Sequence, residues 1–183
     1  MCIRDRGDPS SGGYTTSMPY VDNGPVEYKL YGAFCGQVLR YDAYDGAPFS
    51  EESTSGVVRY VDLTVPQFWL PRYDWVLCLE VLEHIPRAHE SVVLDNVVRP
   101  ATEGVVLSWA SHYQPGYGHV NAREADYVDR TMARRGLSVD GPATAELRRA
   151  ATLTWFQKHI LVLRVPPTPA GSSRAAASPA RRA

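Results

Sequence analysis

The sequence predicts an α/β fold in three layers, with helices on both faces of a mostly parallel sheet. Three observations carry this expectation. Short, nearly continuous apolar runs recur at Tyr73–Leu79 (YDWVLCL), 104–109 (GVVLSW) and 159–165 (HILVLRV), as expected of strands buried on both faces. Stretches of helical period lie between them, the alternation that builds β-α-β units. Three acids, Asp45, Asp62 and Glu80, follow successive strand candidates. Ligands of open parallel sheets bind beyond the carboxyl ends of the strands, so this series reads as a ligand-binding rim.

Taken along the chain, residues 26–34 are the first helix, entered through Asp22-Asn23-Gly24 and stopped by Gly36. Strands are expected at 37–41 and 57–61, before the longer run Tyr73–Leu79. A helix over 89–98 places Val92, Val93, Leu94, Val97 and Val98 in one broad stripe. The strand at 104–109 is followed by a polar loop and a helix over 122–135. Asn121 stands before that helix as its N-cap and Gly136 after it as its C-cap. Glu124 and Asp126 near its start and Arg134 and Arg135 near its end suit the helix dipole. A further helix is expected over 143–152, then the strand at 159–165.

The chain has 183 residues, enough for one domain with its own core. We place that domain at 20–165. Residues 1–19 read as a polar lead-in, poorly ordered or, over Met1 to Arg6, non-native. Residues 166–183 are Pro, Ala, Ser and Arg without a large apolar side chain. Such a segment cannot offset its ordering entropy and is expected to be a disordered tail. A net charge of −1 gives no global attraction for nucleic acid or an anionic membrane. No apolar run approaches the ~20 residues of a membrane span. Cys2, Cys35 and Cys78 are odd in number and widely spaced. They signal neither a disulfide framework nor a thiolate metal site, and a cytoplasmic setting is the simplest expectation.

The runs VRYVDLTVP, YDWVLCLEVLEHIP and LDNVVRPATEGVVLSWA resemble class I S-adenosylmethionine (SAM)-dependent methyltransferases over about residues 20–165. EVLEHIP after a buried strand carries most of the likeness. The resemblance implies a Rossmann-like α/β/α sandwich whose last strand, at 159–165, is antiparallel. It implies SAM as cofactor and transfer of its methyl group to an oxygen or nitrogen nucleophile. Asp45, with Gly46, would meet the ribose hydroxyls, and a carboxylate suits a diol because it only accepts. Asp62 would face the adenine amino group, with Leu63 on the ring. Cys78, Leu79 and Glu80 would line the methionine end. Asp22 and Gly24 stand where the family has its first glycine loop. Of that pattern only Gly24 is present, with Val26 where a second glycine is expected.

A second likeness concerns metal. Glu80-x-x-Glu83-His84, with His119 in the loop after the next strand, is similar to the arrangement of metal-dependent small-RNA 2′-O-methyltransferases and ubiquinone-pathway O-methyltransferases. It implies a divalent ion, Mg²⁺ or Mn²⁺, on Glu80, Glu83, His84 and His119, with His112 as a spare ligand. Without an ion, His119 and His84 are the candidate catalytic residues, assisting deprotonation of the acceptor. Glu83 and His84 read equally well as caps of the following helix. The acceptor itself has no readable code, although Tyr113 and Tyr117 are placed to wall it. Two rival readings are a degenerate methyltransferase fold serving as a binding or scaffold module, and a dinucleotide-binding dehydrogenase. The latter lacks G-x-G-x-x-G after a first strand.

Overall fold

The computed structural model describes residues 2–5 and 40–167. The expected helix at 26–34, Asp22, Gly24 and residues 168–183 of the tail lie outside the described residues. Among the described residues, seven strands form one sheet: β1 (Cys2–Asp5), β2 (Arg40–Asp45), β3 (Val58–Tyr60), β4 (Tyr73–Leu79), β5 (Ala101–Ser108), β6 (Ser138–Val139) and β7 (Leu161–Arg164). Their order is β3-β2-β1-β4-β5-β7-β6, so the order reverses between β1 and β4, the position at which doubly wound folds bind ligands. Five helices accompany them: α1 (Ser50–Ser53), α2 (Glu90–Val98), α3 (Ala125–Ala133), α4 (Gly141–Ala150) and α5 (Thr154–His159).

The sheet is parallel only in part. β2 and β3 pair parallel, as do β4 and β5. β1 pairs antiparallel to both β2 and β4, and β7 antiparallel to both β5 and β6. Two reversals through β1 restore the direction, so β2, β3, β4 and β5 all run the same way and end on the same edge. β7 is antiparallel, as the resemblance implies. The central antiparallel strand is not anticipated: it comes from four residues of the lead-in, and its backbone completes the ladders of β2 and β4.

Alternation along the strands divides the core into two layers. Val76 and Cys78 of β4, Val105 and Leu107 of β5, and Leu161 and Leu163 of β7 face one side. There they pack with Val93, Leu94 and Val97 of α2 and Val128 and Met132 of α3. Leu79 and Val106 face the other side and meet Phe156 of α5 and Ile160, with Leu147 of α4 against them. Each fully buried aliphatic side chain contributes about 1.5–3 kcal/mol.

β4 has the bounds the sequence predicts. β5 begins three residues before its apolar run, because Ala101 pairs with Tyr73 across an irregularity in the ladder. β2 lies further along than 37–41, its register with β3 set by Ala43 opposite Val58. β7 is shorter than 159–165, since His159 closes α5. α3 ends at Ala133, two residues short of the expected 135, and Gly136 closes the turn beyond it: its φ is 82°, Gly136 N–H donates to Ala133 and Leu137 N–H to Met132, a Schellman closure. Its start differs, because residues 121–124 are not helical and Glu124 holds the N-cap position. α4 is capped by Asp140, whose Oδ1 accepts from Ala143 N–H at 3.0 Å. No helix among the described residues is long and apolar enough to cross a membrane.

Candidate functional site

The site is built where β4 and β5 end. After Leu79 the chain turns sharply at Glu80, whose φ of 52° is left-handed. A non-glycine residue holds such a backbone only when its surroundings impose it, and here Glu80 N–H donates to Ser108 Oγ at the end of β5, at 2.9 Å. A single 3-10 turn, Leu82–His84, then sends its three side chains apart. Leu82 enters the core, Glu83 is wholly buried and His84 is exposed.

The loop after β5 folds back onto this turn. Val120 and Asn121 N–H both donate to the Glu83 carbonyl, at 2.8 and 2.9 Å. Asn121 does not cap α3 as the sequence predicts. Its carbonyl accepts from Trp109 Nε1 at 2.7 Å and its side-chain amide donates to Glu90 at 3.1 Å. The same Glu90 carboxylate takes Arg123 in an ion pair of 2.5 Å and the Tyr127 hydroxyl. Burial pushes the Glu90 carboxyl up, but Tyr127, Arg123 and Asn121 outweigh it and hold it below its ordinary value.

These bonds bring His84 and His119 together, their rings edge to face at 5.0 Å. His84 Nδ1 bonds the Gly118 carbonyl at 3.2 Å and His119 Nδ1 the Gln114 carbonyl at 3.1 Å. A carbonyl only accepts, so Nδ1 carries the proton and Nε2 is left as the basic nitrogen of each neutral ring. Gly116 lies against His119, where a Cβ would stand 2.1 Å from Nε2. Glu83, His84 and His119 place ligand atoms within 4.8 Å of one another, a set that fits a divalent ion. Glu80 stands outside that set, its Oε2 accepting from Gln114 Nε2 at 2.5 Å. His112 is turned to Glu124 at 3.0 Å.

A cavity of about 870 Å³ opens beside this cluster. Glu80, Glu83, His84, Gln114 and His119 form one wall, while Leu79, Trp155, Phe156, Lys158 and His159 bring α5 to the other. Burial, and then the charge of Glu80, raise the Glu83 carboxyl to about 7. Burial lowers His159, whose Nε2 lies 3.5 Å from Ser111 Oγ. Sequence reasoning missed the contribution of α5 to the cavity. Six residues, TWFQKH, are too few to show a helical period. Tyr113 lines the cavity, and Tyr117 is fully exposed.

The expected cofactor residues sit nearby on the same edge of the sheet. Asp45 is the last residue of β2 and accepts from Ala47 N–H at 2.7 Å. Asp62 follows β3 and accepts from Thr64 N–H and Oγ1 at 2.8 and 2.6 Å, bonds that lower its carboxyl. A Cβ on Gly46 would lie 3.2 Å from the Val61 carbonyl. Leu63 and Cys78 are buried in the core, and Leu79 reaches the cavity. Asp45, Gly46, Asp62 and Leu63 do not line that cavity.

No protein-family model matches the chain, and no curated protein matches it. Solved structures do. The magnesium protoporphyrin IX methyltransferase of Synechocystis PCC 6803 with bound SAH is 19% identical, over 63% of this chain and 54% of that one, with a TM-score of 0.38. A pericyclic reaction enzyme is 13% identical over 77% and 39%, with a TM-score of 0.49. The pyocyanin biosynthetic protein PhzM is 12% identical over 65% and 38%, with a TM-score of 0.38. The chain thus spans about half or less of the length of these structures. A methyltransferase is among the solved structures this chain is similar to.

Proposed function

We propose that the chain is a SAM-dependent methyltransferase. The observation that carries the reading is the shared rim: Asp45 ends β2, and Asp62 and Glu80 follow β3 and β4, strands that run in one direction and end on one edge of the sheet. SAM would supply a methyl group already activated on a sulfonium, so the protein's part is binding and alignment. Asp45 binds the ribose diol; Ala47 occupies one lone pair of Oδ1, and a carboxylate has further acceptor capacity. Asp62 holds the adenine side, and Leu79 and Glu80 stand at the reacting end. His84 and His119 take up the acceptor's proton at Nε2.

A second reading places Mg²⁺ or Mn²⁺ on Glu83, His84 and His119, favoured by the 4.8 Å cluster; the ion would hold acceptor hydroxyls. Calorimetry with S-adenosylhomocysteine (SAH), with and without Mn²⁺, tests both. Binding that Asp45→Ala weakens at least tenfold is expected. Absence of SAH binding would leave the scaffold reading. Mn²⁺ heat lost in His84→Ala would favour the ion.

A further inference from the structure

The inner wall of the cavity holds polar atoms without hydrogen-bond partners. They are Glu80 Oε1, Glu83 Oε1 and Oε2, and Gln114 Oε1, each buried and without a donor at bonding geometry. Glu83 is wholly buried and lines the cavity. With both carboxylates ionised, every one of these atoms is an acceptor, and leaving buried acceptors unanswered costs stability. The neighbouring rings do not answer them: His84 and His119 spend their Nδ1 protons on the Gly118 and Gln114 carbonyls. The Gln114 side-chain amide nitrogen, Nε2, is bonded to Glu80 Oε2.

We infer that the methyl acceptor binds this cavity through a protonated amine or amidine, held by Glu80, Glu83 and the Gln114 side-chain carbonyl. The inference rests on the methyltransferase reading and deepens it, in its metal-free form. An alkylammonium offers three donors and no acceptor, which matches a wall of acceptors flanked by two carboxylates. An alcohol brings one donor, and a carboxylate or phosphate brings only repulsion. A divalent ion on Glu83, His84 and His119 would leave Glu80 Oε1 and Gln114 Oε1 unanswered, whereas a cation with several N–H groups spans both carboxylates. On the opposite wall, which also carries Lys158 and His159, the apolar residues suit the carbon body of such a molecule. Leu79 and Phe156 are apolar and almost fully buried, and Trp155 adds an aromatic face to the cavity lining.

Calorimetry on the full chain tests this, with phenethylamine, benzamidine and cadaverine against phenethyl alcohol and 3-phenylpropionate, each with and without saturating SAH. At least one amine is expected to bind tenfold or more tightly than the alcohol, with no heat from the carboxylate. Glu80→Gln and Glu83→Gln are each expected to weaken that amine at least tenfold, with thermal unfolding confirming folded variants. Asp126→Asn, at a carboxylate outside the cavity and paired with Arg130, should change it less than twofold. Heat from no amine, equal affinity for amine and alcohol, or unchanged binding in both variants would overturn the inference. Stoichiometric Mn²⁺ binding that excludes the amine and is lost in Glu83→Gln would overturn it too. The SAH arm separates the two claims: SAH binding without amine binding sinks only the acceptor class. Amine binding without SAH binding removes the methyl-transfer reading and leaves the amine site standing.

Discussion

Glu83 is wholly buried beside Glu80, and the backbone N–H groups of Glu83 and Ala110 only partly offset that burial. Its carboxyl has an ordinary value of 4.5 and is raised to about 7 in the fold, by burial first and by Glu80 second. The folded state therefore holds this proton more tightly than the unfolded chain. Its contribution to stability is full below about pH 4.5 and is lost as the pH rises through 7. Glu83→Gln removes the titration. The variant is expected to be more stable than the wild type at pH 8, by up to about 3 kcal/mol, and to lose that advantage by pH 4.5. Urea unfolding of both proteins at the two pH values measures it. Equal stability at pH 8 would mean that the ionised carboxylate is compensated where it stands.

The loop that carries His119 is held from outside itself. Glu90, the first residue of α2, gathers Asn121, Arg123 and Tyr127 onto one carboxylate, and Arg123 stacks over the Tyr127 ring at 4.3 Å. α2 thereby fixes the path of residues 119–124, which in turn bond the Glu83 carbonyl. Both partners of the Glu90–Arg123 pair are largely buried. Glu90→Gln leaves a buried guanidinium without its counter-charge, a loss of about 3–5 kcal/mol for such pairs. Because the Glu90 carboxyl is held below 4.5, the deficit should be full at pH 7 and shrink as the pH falls below that value. Urea unfolding from pH 7 to pH 3 reads the trend. The helix start makes the same point about sequence: Asn121 has the residue type of an N-cap, and the pull of Glu90, Trp109 and Glu83 overrides it.

Across the whole molecule the sheet joins the cavity-forming ends of β4 and β5 to α5 through β7. The join is close at Gly104, where a Cβ would stand 2.4 Å from both the Leu163 carbonyl and the Trp75 ring. The carbonyl is backbone in the β5–β7 ladder and has no flexible end to move. Gly104→Ala is expected to cost about 1–3 kcal/mol, as overpacked cores do. Gly141→Ala serves as the control: it opens α4 with nothing within 4 Å of an added Cβ. There the change should be neutral or slightly stabilising. Thermal unfolding of both variants checks the contrast, and a neutral Gly104→Ala would mean that β7 can slide away from β5.

The sequence by itself determined the features that are signalled locally. The bounds of β4 follow from one apolar run, and the turn that closes behind α3 from one glycine able to hold a positive φ. The rim acids follow from their places after strands, and the α/β class from the alternation of periods. The tertiary structure alone decided the rest. β1 takes its place by pairing with strands about 40 and 73 residues away, so no local pattern announces it. α5 is too short to stand without the burial of Phe156 against Leu79 and Val106. Of the four expected metal ligands, three come together and Glu80 turns to Gln114. Residue type and spacing permit both outcomes, and the left-handed turn at Glu80 chooses between them. The unanswered acceptors of the cavity depend on burial, which arises only when the β5 loop closes over the turn after β4.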